Sequence, residues 1–285
     1  MQYFDRNNQV KRLKLILIFM PLIILSYTFF SYISAKEVEK VAPKNTANIL
    51  HERINMLSIK SKGIGSNFID GQVNQDDSFT DCSLVNVFNP DGHKMAYLTF
   101  DDGPSPNITP GILDILDKYK IRATFFVIGS MAEKYPDLLK KEYEVGHAIG
   151  NHTYSHNYRY IYSGTDNFMA DVYKEDKVLK SVLGDGFDCK LVRFPGGSFG
   201  TFFNPYKVAL TNAGYHSIDW NDLTGDAEGQ NVPVDRLLNE LAKYTTQEHV
   251  VILMHDAPAK STTLEALPKV IDFLINSGYS FGILR

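Results

Sequence analysis

The chain has 285 residues, 44% hydrophobic and 22% charged, with 29 Lys and Arg against 33 Asp and Glu. That composition describes a folded protein of one large or two small domains and argues against disorder. The formal net charge of −4 offers no basic surface for nucleic acid, and dispersed prolines without an internal repeat exclude a linker protein or a solenoid.

Arg6, Lys11, Arg12 and Lys14 precede residues 15–33, a stretch without a charge and interrupted only by Pro21. At about 1.5 Å per residue it nearly spans a hydrocarbon core of about 30 Å. The basic flank predicts a single-pass signal anchor, with residues 1–14 cytoplasmic and residues 34 onward outside the cell membrane. Cleavage near Ala35, giving a secreted chain, is the alternative. Residues 34–92 are polar, with a short helical pattern at 49–59, and are expected to form an extracytoplasmic stalk that becomes ordered near Phe79. Cys82 and Cys189 are the only cysteines. They form either a disulfide, as an oxidising exterior permits, or two buried thiols.

From Lys94 the pattern becomes regular. A strand at 95–100 precedes a helix capped by Thr109, with Pro110 at its first position and Ile112, Leu113, Ile115, Leu116 and Tyr119 on its apolar face. Strand 123–128, helix 132–144, strand 147–151, helix 168–183 and strand 190–194 follow. Helix 205–213, strand 215–219, helix 233–244, strand 249–254, helix 261–277 and strand 279–284 complete the run. Such alternation implies parallel strands crossed over by helices. Asp101, His152, Arg193, Asp219 and His255 each stand at or just past the end of a different apolar strand. In a closed barrel those ends share one mouth, whereas a flat sheet spreads them at about 4.8 Å per strand. With fewer than eight clear units, the fold expected for residues 93–285 is an α/β, distorted and incomplete (β/α) barrel.

The chemistry begins where the first strand delivers Asp101 and Asp102 onto Gly103-Pro104. Burying adjacent carboxylates costs several kcal/mol unless a cation or an arginine offsets it. His152 and His156 are four apart, a spacing that puts both on one face of a helical turn. One Asp with two His is a set that zinc accepts, which leaves the second Asp as a base. No second carboxylate cluster suggests a two-metal phosphatase. Asn107-Ile-Thr109 and Asn151-His-Thr153 are glycosylation sequons; a glycan on Asn151 would obstruct the metal, so that site is read as bare.

Thr99-Phe-Asp-Asp-Gly-Pro104, His152-Thr-Tyr-Ser-His156, Arg193-Phe-Pro-Gly-Gly197, Asp219-Trp220 and Ile252-Leu-Met-His255-Asp256 resemble, in order and spacing, the five motifs of NodB-homology polysaccharide deacetylases, carbohydrate esterase family 4. The resemblance covers residues 93–285 and implies hydrolysis of N-acetyl groups on glycans with one divalent metal ion, Zn2+ being the natural choice. It implies that Asp102, His152 and His156 hold the metal and that Asp101 is the general base, oriented and kept ionised by Arg193. His255 becomes the general acid for the amine leaving group, tuned by Asp219. The Gly196 N–H becomes an oxyanion donor, and Trp220 and Leu253 become the wall around the acetate methyl. Motif three often carries an aromatic after the proline; here Gly196-Gly197 stands there, leaving Phe199, Phe202, Phe203, Tyr154 or Tyr158–Tyr162 to supply a sugar-facing surface. An outward-facing domain points to the N-acetylglucosamine of peptidoglycan as substrate. The alternatives are chitin-like or poly-N-acetylglucosamine polymers, acetyl-xylan, or a non-catalytic glycan-binding protein on the same fold.

Overall fold

A computed structural model describes residues 81–82 and 87–284, with the backbone alone at 81–82. The anchor expected at 15–33 and most of the expected stalk lie outside the described residues. No helix among the described residues is long and apolar enough to cross a membrane. The described residues belong to one compact unit.

Nine strands among the described residues are all paired in parallel. They are β1 (Asp81–Cys82), β2 (Met95–Asp101), β3 (Thr124–Val127), β4 (Ala148–Asn151), β5 (Leu191–Val192), β6 (His216–Ser217), β7 (Asp222–Leu223), β8 (His249–His255) and β9 (Ser280–Leu284). The centre is β2, which pairs with β8 along its full length. It also pairs with β9 over Met95–Tyr97 and with β3 over Thr99–Asp101. From β3 the sheet continues through β4 and β5 to β6, while β7 pairs only with β8. No pairing joins β6 to β7, so the barrel is incomplete as expected.

Both faces of this curled sheet are buried, which is why its long strands read as unbroken apolar runs. Tyr97, Phe126, Leu191, Ile218, Val251 and Leu284 pack together on the inner side, with Trp220 against them. Ala96, Leu98, Phe100, Phe125, Val250, Ile252 and Met254 pack outward under the helices. Alternation along β2 and β8 places Asp101 and His255 on the inner side, and the register sets them opposite one another.

The helices are α1 (Thr109–Tyr119), α2 (Gly129–Lys134), α3 (Pro136–Glu144), α4 (Tyr158–Ile161), α5 (Thr165–Leu183), α6 (Asn204–Asn212), α7 (Val234–Tyr244) and α8 (Ser261–Asn276). Three expectations are corrected. The single helix at 132–144 is two, because Pro136 disfavours helical backbone at Tyr135, which sits at φ −127. Thr109 does not cap α1 but is its first residue; its hydroxyl bonds Asp256 at 2.5 Å and accepts from the Ser105 N–H at 2.7 Å. The two-residue strands β5 and β6 are shorter than the segments 190–194 and 215–219, since the chain leaves the sheet to form the site. Of the two alternatives for the cysteines, Cys189 is a free, buried thiol that donates to the Leu191 and Ile149 carbonyls.

Candidate active site

The ends of β2, β4, β5 and β8 bring the predicted residues together. At the end of β2 the backbone turns through Asp102, whose φ of 75° is uncommon outside glycine. This turn separates the two carboxylates. Asp101 stays inside and buried, whereas Asp102 leans toward His152 and His156. Gly103 is required beneath them: a Cβ there would lie 2.0 Å from Asp256 Oδ2.

His152 and His156 do not share a helical turn. Both lie in the loop after β4, and α4 begins only at Tyr158. Left-handed backbone at Thr153 (φ 65°) and His156 (φ 49°) swings the second imidazole back toward the first, so that the rings are 5.0 Å apart. Asp102 Oδ1 is 3.5 Å from His152 Nε2 and 3.2 Å from His156 Nε2. Donors at tetrahedral angles and bond lengths of about 2.0–2.1 Å stand about 3.3 Å apart, so the trio fits a zinc-sized ion. Asp102 Oδ1 is also buried without a hydrogen-bond partner, a cost that a cation would remove. This is the group of three among the described residues whose donor atoms fall within 4.8 Å of one another.

The surroundings prepare the imidazole for that role. His152 Nδ1 contacts the Arg193 carbonyl at 2.9 Å, a bond that requires the proton on Nδ1 and leaves the Nε2 lone pair facing Asp102. Burial pushes the His152 pKa down to about 3, so it is neutral as a ligand must be. The loop hangs from α5. Asp171 accepts from the Ser155 N–H at 2.8 Å and its hydroxyl at 2.9 Å, and Glu175 accepts from the His152 N–H at 3.3 Å. Asn151 donates to the Val172 carbonyl and to Asp176, both at 3.0 Å. With its side chain buried in these bonds, Asn151 cannot carry a glycan.

Arg193 is fully buried. Its Nη1 donates to Asp101 Oδ1 at 2.9 Å and to Thr99 Oγ1 at 2.6 Å, its Nε donates to the Ile218 carbonyl at 3.3 Å, and the guanidinium lies 4.0 Å over the Phe126 ring. Thr99, Ile218 and Phe126 thus fix the guanidinium, and the guanidinium fixes the orientation of Asp101. Burial raises the Asp101 pKa above the ordinary carboxylate value, and Arg193 and then His255 oppose that shift. The result is a stronger base than a surface aspartate.

Asp219 is the one predicted residue that the structure moves to another place. It accepts from the Ser198 N–H at 2.9 Å and the Ser198 hydroxyl at 2.6 Å, and so holds the turn that carries Gly196. His255 is paired instead with Asp226. The His255 Nδ1 is 2.8 Å from Asp226 Oδ1, while Oδ2 accepts from the His255 N–H and the Thr263 hydroxyl, both at 2.8 Å. The reason is β7: it returns the chain to β8 beyond Asp219, and Gly225 (φ 76°) turns Asp226 onto the strand end. Burial alone disfavours the imidazolium, but the Asp226 charge and hydrogen bond outweigh it and raise the His255 pKa to about 9. A histidinium with its Nε2 free of Asp226 is a proton donor at neutral pH.

Trp220 packs against the inner cluster and stands 5.8 Å from the Arg193 guanidinium. Leu253, two residues before His255 on the same side of β8, is buried. Gly196 and Gly197 both adopt left-handed backbone (φ 78° and 82°); the Gly197 N–H closes the turn onto the Phe194 carbonyl at 2.8 Å, while Gly196 is exposed at its tip.

The chain is similar to known proteins across this whole region. Residues 88–218 match the family model described as polysaccharide deacetylase. A peptidoglycan-N-acetylglucosamine deacetylase of Bacillus cereus is 33% identical over 192 residues, 67% of this chain and 87% of that protein. Among solved structures, a Streptococcus mutans CE4 esterase is 33% identical with a TM-score of 0.65, covering 70% of this chain and 89% of its own. The catalytic domain of a peptidoglycan N-acetylglucosamine deacetylase from Eubacterium rectale is 32% identical with a TM-score of 0.61, covering 69% and 90%.

Proposed function

The chain belongs to the polysaccharide deacetylase family, and we infer that it hydrolyses the N-acetyl groups of N-acetylglucosamine in peptidoglycan, using one Zn2+ ion. The observation that carries this reading is the pair of carboxylates at the end of β2. One shares a tetrahedral spacing with two imidazoles, and its neighbour faces Arg193.

Asp102, His152 and His156 would hold the ion. When bound, it would polarise the acetamide carbonyl and acidify a water. Asp101 accepts the proton of the attacking water as the new C–O bond forms, its carboxylate held by Arg193. The Gly196 N–H donates to the carbonyl oxygen as that oxygen gains charge, with Asp219 and Ser198 holding the turn. His255 donates the Nε2 proton to the departing nitrogen as the C–N bond breaks, giving acetate and a free amine on the sugar. Asp226 stabilises the imidazolium until that transfer. Trp220 and Leu253 bound the space for the acetyl methyl.

The substrate assignment is supported by relatives named for peptidoglycan and by the apolar stretch at 15–33 with its basic flank, which would hold the domain outside the cell membrane, beside the wall. The test is acetate release from purified peptidoglycan, chitin oligomers and acetyl-xylan side by side. Release fastest from peptidoglycan is expected. A preference for either other polymer would reassign the substrate, and release from none would leave a glycan-binding protein.

A further inference from the structure

Tyr158 stands at the start of α4, two residues past His156, and its ring lies between the candidate metal site and the turn that carries Gly196. A Cβ built on Gly196 would meet Tyr158 Cε1 at 2.9 Å, Oη at 3.0 Å and Cζ at 3.4 Å. The ring therefore occupies the space that a side chain at 196 would need. It makes T-shaped contacts with His156 at 5.2 Å and with Tyr162 at 5.8 Å. Tyr162 in turn donates its hydroxyl to the Pro195 carbonyl at 2.6 Å, which ties α4 to the residue preceding Gly196. Yet Tyr158 remains 48% exposed. A large ring held by its neighbours on both sides, with a free surface beside the reacting groups, is shaped to receive another apolar surface.

We propose that Tyr158 is a substrate-binding residue, whose ring packs against the C–H face of the pyranose bearing the scissile acetamide and so sets that acetamide over the Gly196 N–H and Asp101. This assignment rests on the deacetylase reading for the identity of the acetamide. It explains the glycine at 196: any side chain there would displace the ring, besides being strained at φ 78°.

The test uses the full chain and a β-1,4-linked tetramer of N-acetylglucosamine, with acetate release giving kcat and KM and calorimetric titration giving Kd. Y158A raises KM and Kd about 10-fold with kcat nearly unchanged, as loss of one aromatic packing partner does. Y158F, which keeps the ring, stays within about twofold of wild type. Y158L serves as a second variant should Y158A fold poorly, and equal zinc content checks that the metal loop is intact. Unchanged KM and Kd in both Y158A and Y158L would overturn the proposal. So would Y158F as impaired as Y158A, which would assign the effect to the hydroxyl, or a wild-type chain that does not bind the tetramer. Wild-type binding without acetate release would instead sink the deacetylase reading, while the titration would still decide the role of Tyr158.

Discussion

Replacing Asp226 by asparagine tests the pairing that sequence reading missed. The amide keeps an oxygen to accept from His255 Nδ1 but removes the charge that raises the histidine from 6.5 to about 9. That shift is worth on the order of 3 kcal/mol of preference for the imidazolium, at 1.36 kcal/mol per pKa unit. Without the charge, burial is opposed only by the more distant Asp101 and Asp102 charges, and the pKa returns to about the ordinary 6.5. At pH 8 the protonated fraction then drops from about 0.9 to about 0.03, a loss of roughly 30-fold in acid catalysis, whereas at pH 6 the loss is less than about twofold. The assay is kcat/KM for acetate release from about pH 5.5 to 9.5 in wild type, D226N and D219N. The alkaline limb should move down by about two units or more in D226N and stay in place in D219N. The same linkage bears on stability. The folded pKa is raised, so the contribution of His255 is complete below pH 6.5 and is lost as pH rises through about 9. An unmoved alkaline limb in D226N, or a limb that moves in D219N, would refute the assignment.

D101N should lower acetate release by about 100-fold or more while bound zinc stays at wild-type level; simultaneous loss of metal would make Asp101 a ligand rather than a base. D171A removes both bonds to Ser155 and should weaken zinc binding about 10-fold or more, as loss of a ligand's supporting bonds does. Competition with a chromogenic chelator reads this directly, and an unchanged affinity would show that α5 does not hold the loop. G103A must push a Cβ into Asp256, which is itself fixed by Thr109. A loss of roughly 1–3 kcal/mol in urea unfolding is expected, and a neutral result would show that the turn can retreat.

The parts of the fold that were legible in the sequence are those with long apolar runs. β2 and β8 each have seven residues, six of them buried, so their long apolar runs and their polar ends were both visible. β5, β6 and β7 have two residues each, too few to carry a period, and β7 went unread. That omission cost the Asp226 assignment, since only the return of β7 to β8 brings Asp226 to His255, and nothing local separates it from Asp219. The metal trio was legible because adjacent aspartates at a strand end and two nearby histidines have little structural use. Their geometry was not, because left-handed backbone at Thr153 and His156, rather than a helical turn, brings the rings together. The supporting bonds from α5 were hidden for another reason. Asp171 and Glu175 are acidic residues inside a helix, and nothing in their spacing marks that both are buried against the loop.

The most direct measurement is zinc binding by the full chain after dialysis against chelator, in wild type and H156A, with acetate release followed on the same samples. One ion per wild-type chain is expected, with activity lost on stripping and restored in proportion to added zinc, and H156A binding at least about 100-fold more weakly. Full acetate release from the metal-free wild type, or equal zinc affinity in H156A, would contradict the account.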